Sequence, residues 1–403
     1  MKIRNPFSNI NLSEKNRKWF FPFALIFFVV FYVNLEHTIL YSSALQAVTI
    51  NKDELFSSEK YAHYVKVIVV IVSVLSIYRI SLAVYDFYRY NKISGNKIST
   101  NYLYWIMSGN ILSILAYLGF AFIVALFFNL LLGWNINDVY EFITNGNSKI
   151  KQLYYVVPNI IQLPGVVAGV ILFLVSSFLL YANHYLSHVS RFMWLLSHRP
   201  HHITTALTNA TGFLADIQFL IGWLVIIIEL IIVLVLSRFI TTNQEPVMFI
   251  FFGYAIFIKI FEVTNHAPTY YQFIKNSPVL NFICKMTSSG PYHVLHHSSR
   301  EEHSMVNLGG NSGIWDLIFG TYCDLPDEEP QFGLTNQPAL ELSAMAVVFG
   351  GLQQIWYELK HNKDFLTRIK IIFGGIYYIP PITKDYLKIK DGGYNVLLHK
   401  IQA

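Results

Sequence analysis

Three short histidine boxes, set between long apolar stretches, constrain this chain more than any other feature. The first is His184-x-x-x-His188, the second His198-x-x-His201-His202 and the third His293-x-x-His296-His297, with His266 standing alone between the second and third. These nine make up most of the 14 histidines in the chain. Neutral imidazole is the commonest metal ligand, and residues three or four apart share one face of a helix. Each box can therefore aim two or three nitrogens at one point. One box would say little. Three, each beside a hydrophobic segment, point to a polynuclear metal site, and any fold must bring these segments together.

The apolar stretches are long enough to cross a bilayer. The chain is 54% hydrophobic and 13% charged over 403 residues, against about 25% charged in a soluble domain. A span needs about 20 mostly apolar residues, and such runs lie at 19–36, 64–85, 103–132, 159–182, 211–238 and 247–264. The expected fold is an all-α integral membrane protein, a helical bundle with a histidine-lined site for two metals. No cleavable leader is expected, since the first run leads into further apolar runs without a small-residue cleavage site. Cys284 and Cys323 are too few for a disulfide framework and are expected as reduced thiols. The net charge of +5 is read as a topology signal, not as nucleic-acid binding.

Three regions follow: transmembrane helices over 1–158, a histidine-box domain over 159–325 and a C-terminal extension over 326–403. In the extension, Ala339–Tyr357 and Leu366–Ile379 alternate apolar faces with Lys and Glu. They read as interfacial or packed amphipathic helices.

Parity tests the span map. Boxes one and two follow the fourth span; the fifth leaves that side and the sixth returns, so His266 and box three come back to the first two, which favours six crossings, or four full crossings plus re-entrant pieces. Lys2, Arg4, Lys15, Arg17 and Lys18, with Arg89, Lys92 and Lys97, fall on the box side. The opposite loops mix Lys52, Asp53, Glu54, Glu59, Lys60, Asp138 and Glu141 without a positive excess. The positive-inside rule then places the N-terminus and the boxes in the cytosol.

Nine imidazoles exceed what one metal needs, whereas two metals with four or five nitrogens each would use them all. Imidazole suits Zn, Cu, Fe and Ni, so the residues alone leave the metal open. Box one lacks the Glu of His-Glu-x-x-His, which excludes that zinc-protease motif. The Glu-x-x-His pairs of soluble di-iron bundles are absent too. Glu262, Glu301, Glu302 and Asp316 lie near the boxes and could fix ring tautomers. Pro200 inside box two places His198 at the end of one helix and opens the next. Arg79 is expected to snorkel to the inner interface.

The box order across a hydrophobic chain resembles the fatty acid hydroxylase / sterol desaturase superfamily. His296-His297-Ser298-Ser299, followed by Asn307-Leu308-Gly309-Gly310 and Trp315-Asp316-Leu317-Ile318-Phe319-Gly320-Thr321-Tyr322, is similar to that family's ending. Thr204-Thr205-Ala206-Leu207 and the C-terminal extension lean towards its alkylglycerol monooxygenase-like branch. The resemblance covers roughly 160–325. It implies a non-haem di-iron centre and O2-dependent oxidation, most of all hydroxylation, of a C–H bond in a membrane lipid, sterol or ether lipid. It makes His184, His188, His198, His201, His202, His266, His293, His296 and His297 the metal ligands, with no catalytic residue beyond them. His303, Glu262 and Asp316 are further ligands or second-layer partners. It also implies two iron ions, which zinc can replace in a preparation, O2 as co-substrate and an external electron donor, either a protein or a reduced pterin.

Two other readings stay open. A lipid or sterol desaturase would use the same boxes. A membrane metal-binding or transport protein would place its ligands near mid-membrane at broken helices, whereas these boxes lie past the span ends. The topology is tested by cysteine labelling of intact cells. Probes at Ser58 and Thr242 should react from outside and probes at Gly95 and Ser299 should not; external labelling at Ser299 would overturn the cytosolic assignment.

Overall fold

The computed structural model describes residues 156–204, 206–209, 235–241, 260–334 and 344–376 without interruption. It also describes Tyr378, Pro380, single helical positions between Val70 and Arg89, and positions 112, 126, 130, 232, 233, 247, 250, 253 and 257. The expected spans at 19–36 and most of 103–132 and 211–238 lie outside these residues. Among the described residues the fold is mostly helical and has no strand. Two isolated bridges, Ser190 with Gly375 and Ser298 with Phe332, are its only β pairings.

The spine is helix α1, Gly165–Val189, which starts directly after Pro164. At 1.5 Å per residue it is about 37 Å long, and it is the one helix among the described residues long and apolar enough to cross a membrane. Its buried positions, Gly165, Ala168, Gly169, Leu172, Ser177, Tyr181, His184, Ser187 and His188, mostly have a buried neighbour three or four residues away. That is a single helical stripe. Val166, Val170, Phe178 and Leu186 remain exposed. Small residues at the start of the stripe let neighbours approach closely. A Cβ on Gly169 would stand 2.5 Å from Ile250 Cδ1.

The fourth span was expected to end at 182, before box one. Instead α1 continues to Val189 and carries His184 and His188 in its last turns. The i,i+4 spacing of the box lets the helix run straight through it. At the opposite end of α1, Ala168 and Leu172 pack with Ile240 and Val247. The amides of Ile160, Ile161 and Leu163 cap the carbonyls of Phe239 and Ile240. The segments on either side of residues 242–246 thus meet far from the boxes, while Val263–His266 lies at the box end. The boxes and His266 converge at one end of α1.

Beyond α1 the chain breaks at Ser190, whose backbone is extended (φ −84°, ψ 121°), and helix resumes as α2, Arg191–Met193. A π-helical turn, Trp194–His198, follows, and then α3, Arg199–His202. His198 does end one helical segment, with Pro200 in the first turn of the next. After His266 come α4 (Tyr271–Lys275), α5 (Pro278–Thr287), α6 (Pro291–His296) and α7 (Ile314–Phe319). The extension forms α8, Ala344–His361, and α9, Phe365–Phe373. One face of this pair packs on the segment carrying box two: Ile355 and Ile371 join Leu195 in a core with Phe192, Trp194 and Tyr378. Leu352, Trp356, Phe365 and Phe373 on the other face are exposed.

Arg79 is buried and lies 3.9 Å from the Glu262 carboxylate.

Candidate metal centre

All nine predicted histidines meet. The Nε2 atom of His184 lies 3.1 Å from those of both His198 and His296; His188 Nε2 lies 2.7 Å from His198 and 3.2 Å from His296. These four form one group that could hold a metal ion. His201, His266, His293 and His297 form a second, with Nε2 separations of 3.2–3.3 Å. His202 joins the first group, its Nε2 3.0 Å from His198, while its ring stacks on His297 at 4.4 Å. The partition is therefore five and four, with the His202–His297 stack between the groups.

Each box feeds this geometry through its local backbone. In α1 the i,i+4 pair points one way. Box two is divided: His198, at the end of the π-helical turn, and His202 face the first group, whereas His201 faces the second. Box three divides likewise, with His296 to the first group and His293 and His297, one turn apart, to the second. Asn265 Oδ1 accepts the Gly290 amide at 2.7 Å, which ties the residue beside His266 to the start of box three.

Proton positions follow from the hydrogen bonds. His184 Nδ1 donates to the Leu308 carbonyl and His296 Nδ1 to the Val306 carbonyl, each at 2.9 Å. A carbonyl can only accept, so both rings carry their proton on Nδ1 and turn a bare lone pair outward at Nε2. Those lone pairs face each other at 3.1 Å. A proton shared between them would make one ring an imidazolium. Burial first, and neighbouring imidazoles second, hold His296 well below the ordinary imidazole value, and likewise His198, His202, His297 and His293. His266 is lowered in the same way, by burial first. A cation between them would satisfy such converging lone pairs together. Imidazoles about 2.1 Å from one ion stand roughly 3.0–3.4 Å apart, and most of the observed separations lie in that interval. The residues present fit a metal at each group.

The Leu308 carbonyl is held by Asp316, and the peptide of the Val306 carbonyl by the bond from the Asn307 amide to the Thr321 carbonyl at 2.8 Å. Asp316 Oδ1 accepts the Leu308 amide at 2.7 Å and the Thr321 hydroxyl at 2.7 Å; its Oδ2 accepts the Gly309 amide at 2.9 Å and the Ser288 hydroxyl at 2.8 Å. A Cβ on Gly309 would stand 2.6 Å from Asp316 Oδ2 and 2.4 Å from the Ser312 carbonyl, so only glycine fits here. Asn307, in the left-handed region at φ 53°, bonds Cys323 through both backbone groups and the Tyr292 carbonyl. Trp315 Nε1 donates to Ser177 on α1 at 2.9 Å. The Val306–Tyr322 segment, with Asn307, Leu308 and Asp316 buried, is thus a frame that aims two carbonyls at two imidazoles.

Asp316, with both oxygens engaged, supports the site through the backbone. His303 is buried, and its Nδ1 lies 3.0 Å from Ser298 Oγ; Glu262 faces Arg79. None of the three belongs to either histidine group. The sequence reading missed the Val306 and Leu308 carbonyls, which no residue type can signal. It also missed Trp194, whose ring lies 5.5 Å from that of His188 and 5.7 Å from that of His202.

Asp316→Asn places an amide N–H against two hydrogen-bond donors and should cost about 2–3 kcal/mol. Thr321→Val, which removes one donor, should cost about 1 kcal/mol. Unfolding of the purified protein in detergent, followed by circular dichroism, measures both. A neutral Asp316→Asn would show that the frame does not depend on this carboxyl.

No curated protein and no solved structure matches the chain. Residues 169–321, the segment that holds all nine histidines and the Asp316 frame, match the model of the fatty acid hydroxylase family.

Proposed function

We propose that this protein is a membrane-embedded di-iron oxygenase that hydroxylates a C–H bond of a lipid at the cytosolic face. The observation that carries the reading is the pair of histidine groups at the end of the apolar helix α1, inside the segment matching the fatty acid hydroxylase family. His184, His188, His198, His202 and His296 would hold one iron; His201, His266, His293 and His297 would hold the other. Bound iron supplies the activation of O2.

The protein's own part is positional. Leu308 and Val306 keep the protons of His184 and His296 on Nδ1, so that Nε2 is always free to bind. Burial keeps the remaining imidazoles neutral and excludes water from a reactive site. The apolar flank of α1 offers a lipid chain a route from the bilayer to the box end, and positioning one carbon there selects the reaction. Electrons come from outside, from a small protein or a reduced pterin. Ether lipids, sterols and fatty acyl chains are the substrate classes to compare, ether lipids first, given the Thr204–Leu207 run and the C-terminal extension. Desaturation of the same lipids is the second reading, because it needs the same metals.

Lipid profiling of cells with and without the protein separates the two. A product 16 mass units heavier marks hydroxylation and one 2 units lighter marks desaturation; no lipid change under aerobic growth with intact protein would reject both. Purified protein reconstituted with iron without oxygen should carry two metals per chain by elemental analysis, and one at full occupancy would refute the di-iron reading. His266→Ala should lose one metal and its activity, while His303→Ala keeps both. The opposite pattern would make His303 the ligand.

A further inference from the structure

The C-terminal helices lie beyond the family-matching segment 169–321, yet they grip the part of the chain where boxes one and two are joined. The helical axis breaks at Ser190, and the break lets box two fold back until His198 Nε2 is 2.7 Å from His188 Nε2. Two contacts at this point come from the loop after α9: Ser190 bridges to Gly375, and the Arg191 amide donates to the Gly374 carbonyl at 2.9 Å.

The Arg191 side chain is spent entirely on the same region. Its Nε donates to the Tyr378 carbonyl at 2.8 Å, Nη1 to the Ile371 carbonyl at 3.0 Å and Nη2 to Glu358 Oε1 at 2.7 Å. Both partners of that ion pair are buried, Arg191 at 2% and Glu358 at 0% exposure. Burying two charges is costly unless geometry and added hydrogen bonds compensate, and breaking such a pair costs more than replacing it. Glu358 Oε1 also accepts from Gln354 Nε2 at 3.1 Å, and Gln354 Oε1 accepts from Arg199 Nη1 at 3.3 Å. One face of α8 therefore reaches the residues before and after the π-helical turn. Between them, Gly351 sits so close that a Cβ would be 1.9 Å from the Leu195 carbonyl.

We propose that α8 and α9 clamp the π-helical turn through Arg191, Glu358, Gln354 and Gly351, and that these positioning residues hold His198 in the first metal group. The clamp rests on the metal reading above for its purpose, but not for its existence. A π-turn is a marginal structure often found at functional sites. Here it sets both His198 and Trp194, whose ring lies near those of His188 and His202. Fixing the turn fixes the ring and the layer behind it.

The test uses the full-length protein and three variants: Glu358→Gln, which keeps the shape but removes the charge; Gly351→Ala, which pushes α8 from Leu195; and Trp356→Ser, a control on the exposed face of α8. Hydrogen–deuterium exchange over residues 190–202 is measured without metal. In the first two variants it should rise about tenfold, as expected when a local opening loses support, and it should not change in the control. Co(II) binding is then read in two backgrounds, His266→Ala, which keeps the first group, and His188→Ala, which keeps the second. Glu358→Gln and Gly351→Ala should weaken the first group about tenfold, the cost typical of a lost outer-layer partner, and the second much less. Unchanged exchange over 190–202 would overturn the clamp. Equal weakening of the two groups would overturn its link to His198. Fewer than two Co(II) ions bound by the unsubstituted chain would overturn the metal reading itself, and the positioning role with it.

Discussion

Two imidazole lone pairs facing each other at 3.1 Å govern this architecture. His184 and His296 cannot relieve the contact by turning a proton toward each other, because each already donates from Nδ1 to a backbone carbonyl. Nor can either ring easily become charged in its buried setting. A cation held between the rings would satisfy both lone pairs at once. The two carbonyls come from one segment, and the Leu308 carbonyl is held by the buried Asp316 carboxyl, which supports the site at one remove.

The rest of the fold serves to bring these rings together from distant parts of the sequence. Helix α1 delivers box one at the box end by continuing through it. The break at Ser190 and the π-helical turn swing box two back over the end of α1. Box three arrives on a single short turn, α6, too short to be stable alone. It is fixed at its start by Asn265 and at its end by the frame that Asn307 and Asp316 build. Each device is weak in isolation. They hold because each is tied to a second element: α1 to α7 through Trp315 and Ser177, box two to α8 through Arg191 and Glu358, box three to His266 through Asn265.

What could be read from the sequence follows from this division. Residue type and spacing announced eight of the nine histidines, because few other patterns put imidazoles at i,i+3 and i,i+4 three times over; His266, which stands alone, was marked only by the family resemblance. Pro200 announced the start of α3, since a proline inside a box forces a new helical turn. The apolar length of 159–182 announced α1 but misjudged its end, because hydropathy falls at a histidine while helical geometry does not. Nothing announced the Val306 and Leu308 carbonyls, which any residue could supply. The pairing of Arg191 with Glu358 was hidden for another reason: 167 positions separate two charges that the sequence shows as ordinary members of amphipathic segments. The partner of Arg79, Glu262, was hidden in the same way, since it belongs to a distant segment.

The two histidine groups are not equivalent, and the difference follows from the same outer partners. In the first group, two rings have their tautomers set by carbonyls before any metal arrives. In the second, the buried Nδ1 atoms of His293 and His297 have no hydrogen-bond partner among the described residues. A ring whose far nitrogen is held by an acceptor is better oriented and a stronger ligand than one whose far nitrogen is free. The first group is therefore pre-organised by the protein, and the second is organised more by what it binds. The stacked pair His202 and His297 couples them: ordering His202 against His198 also orders the ring beside it.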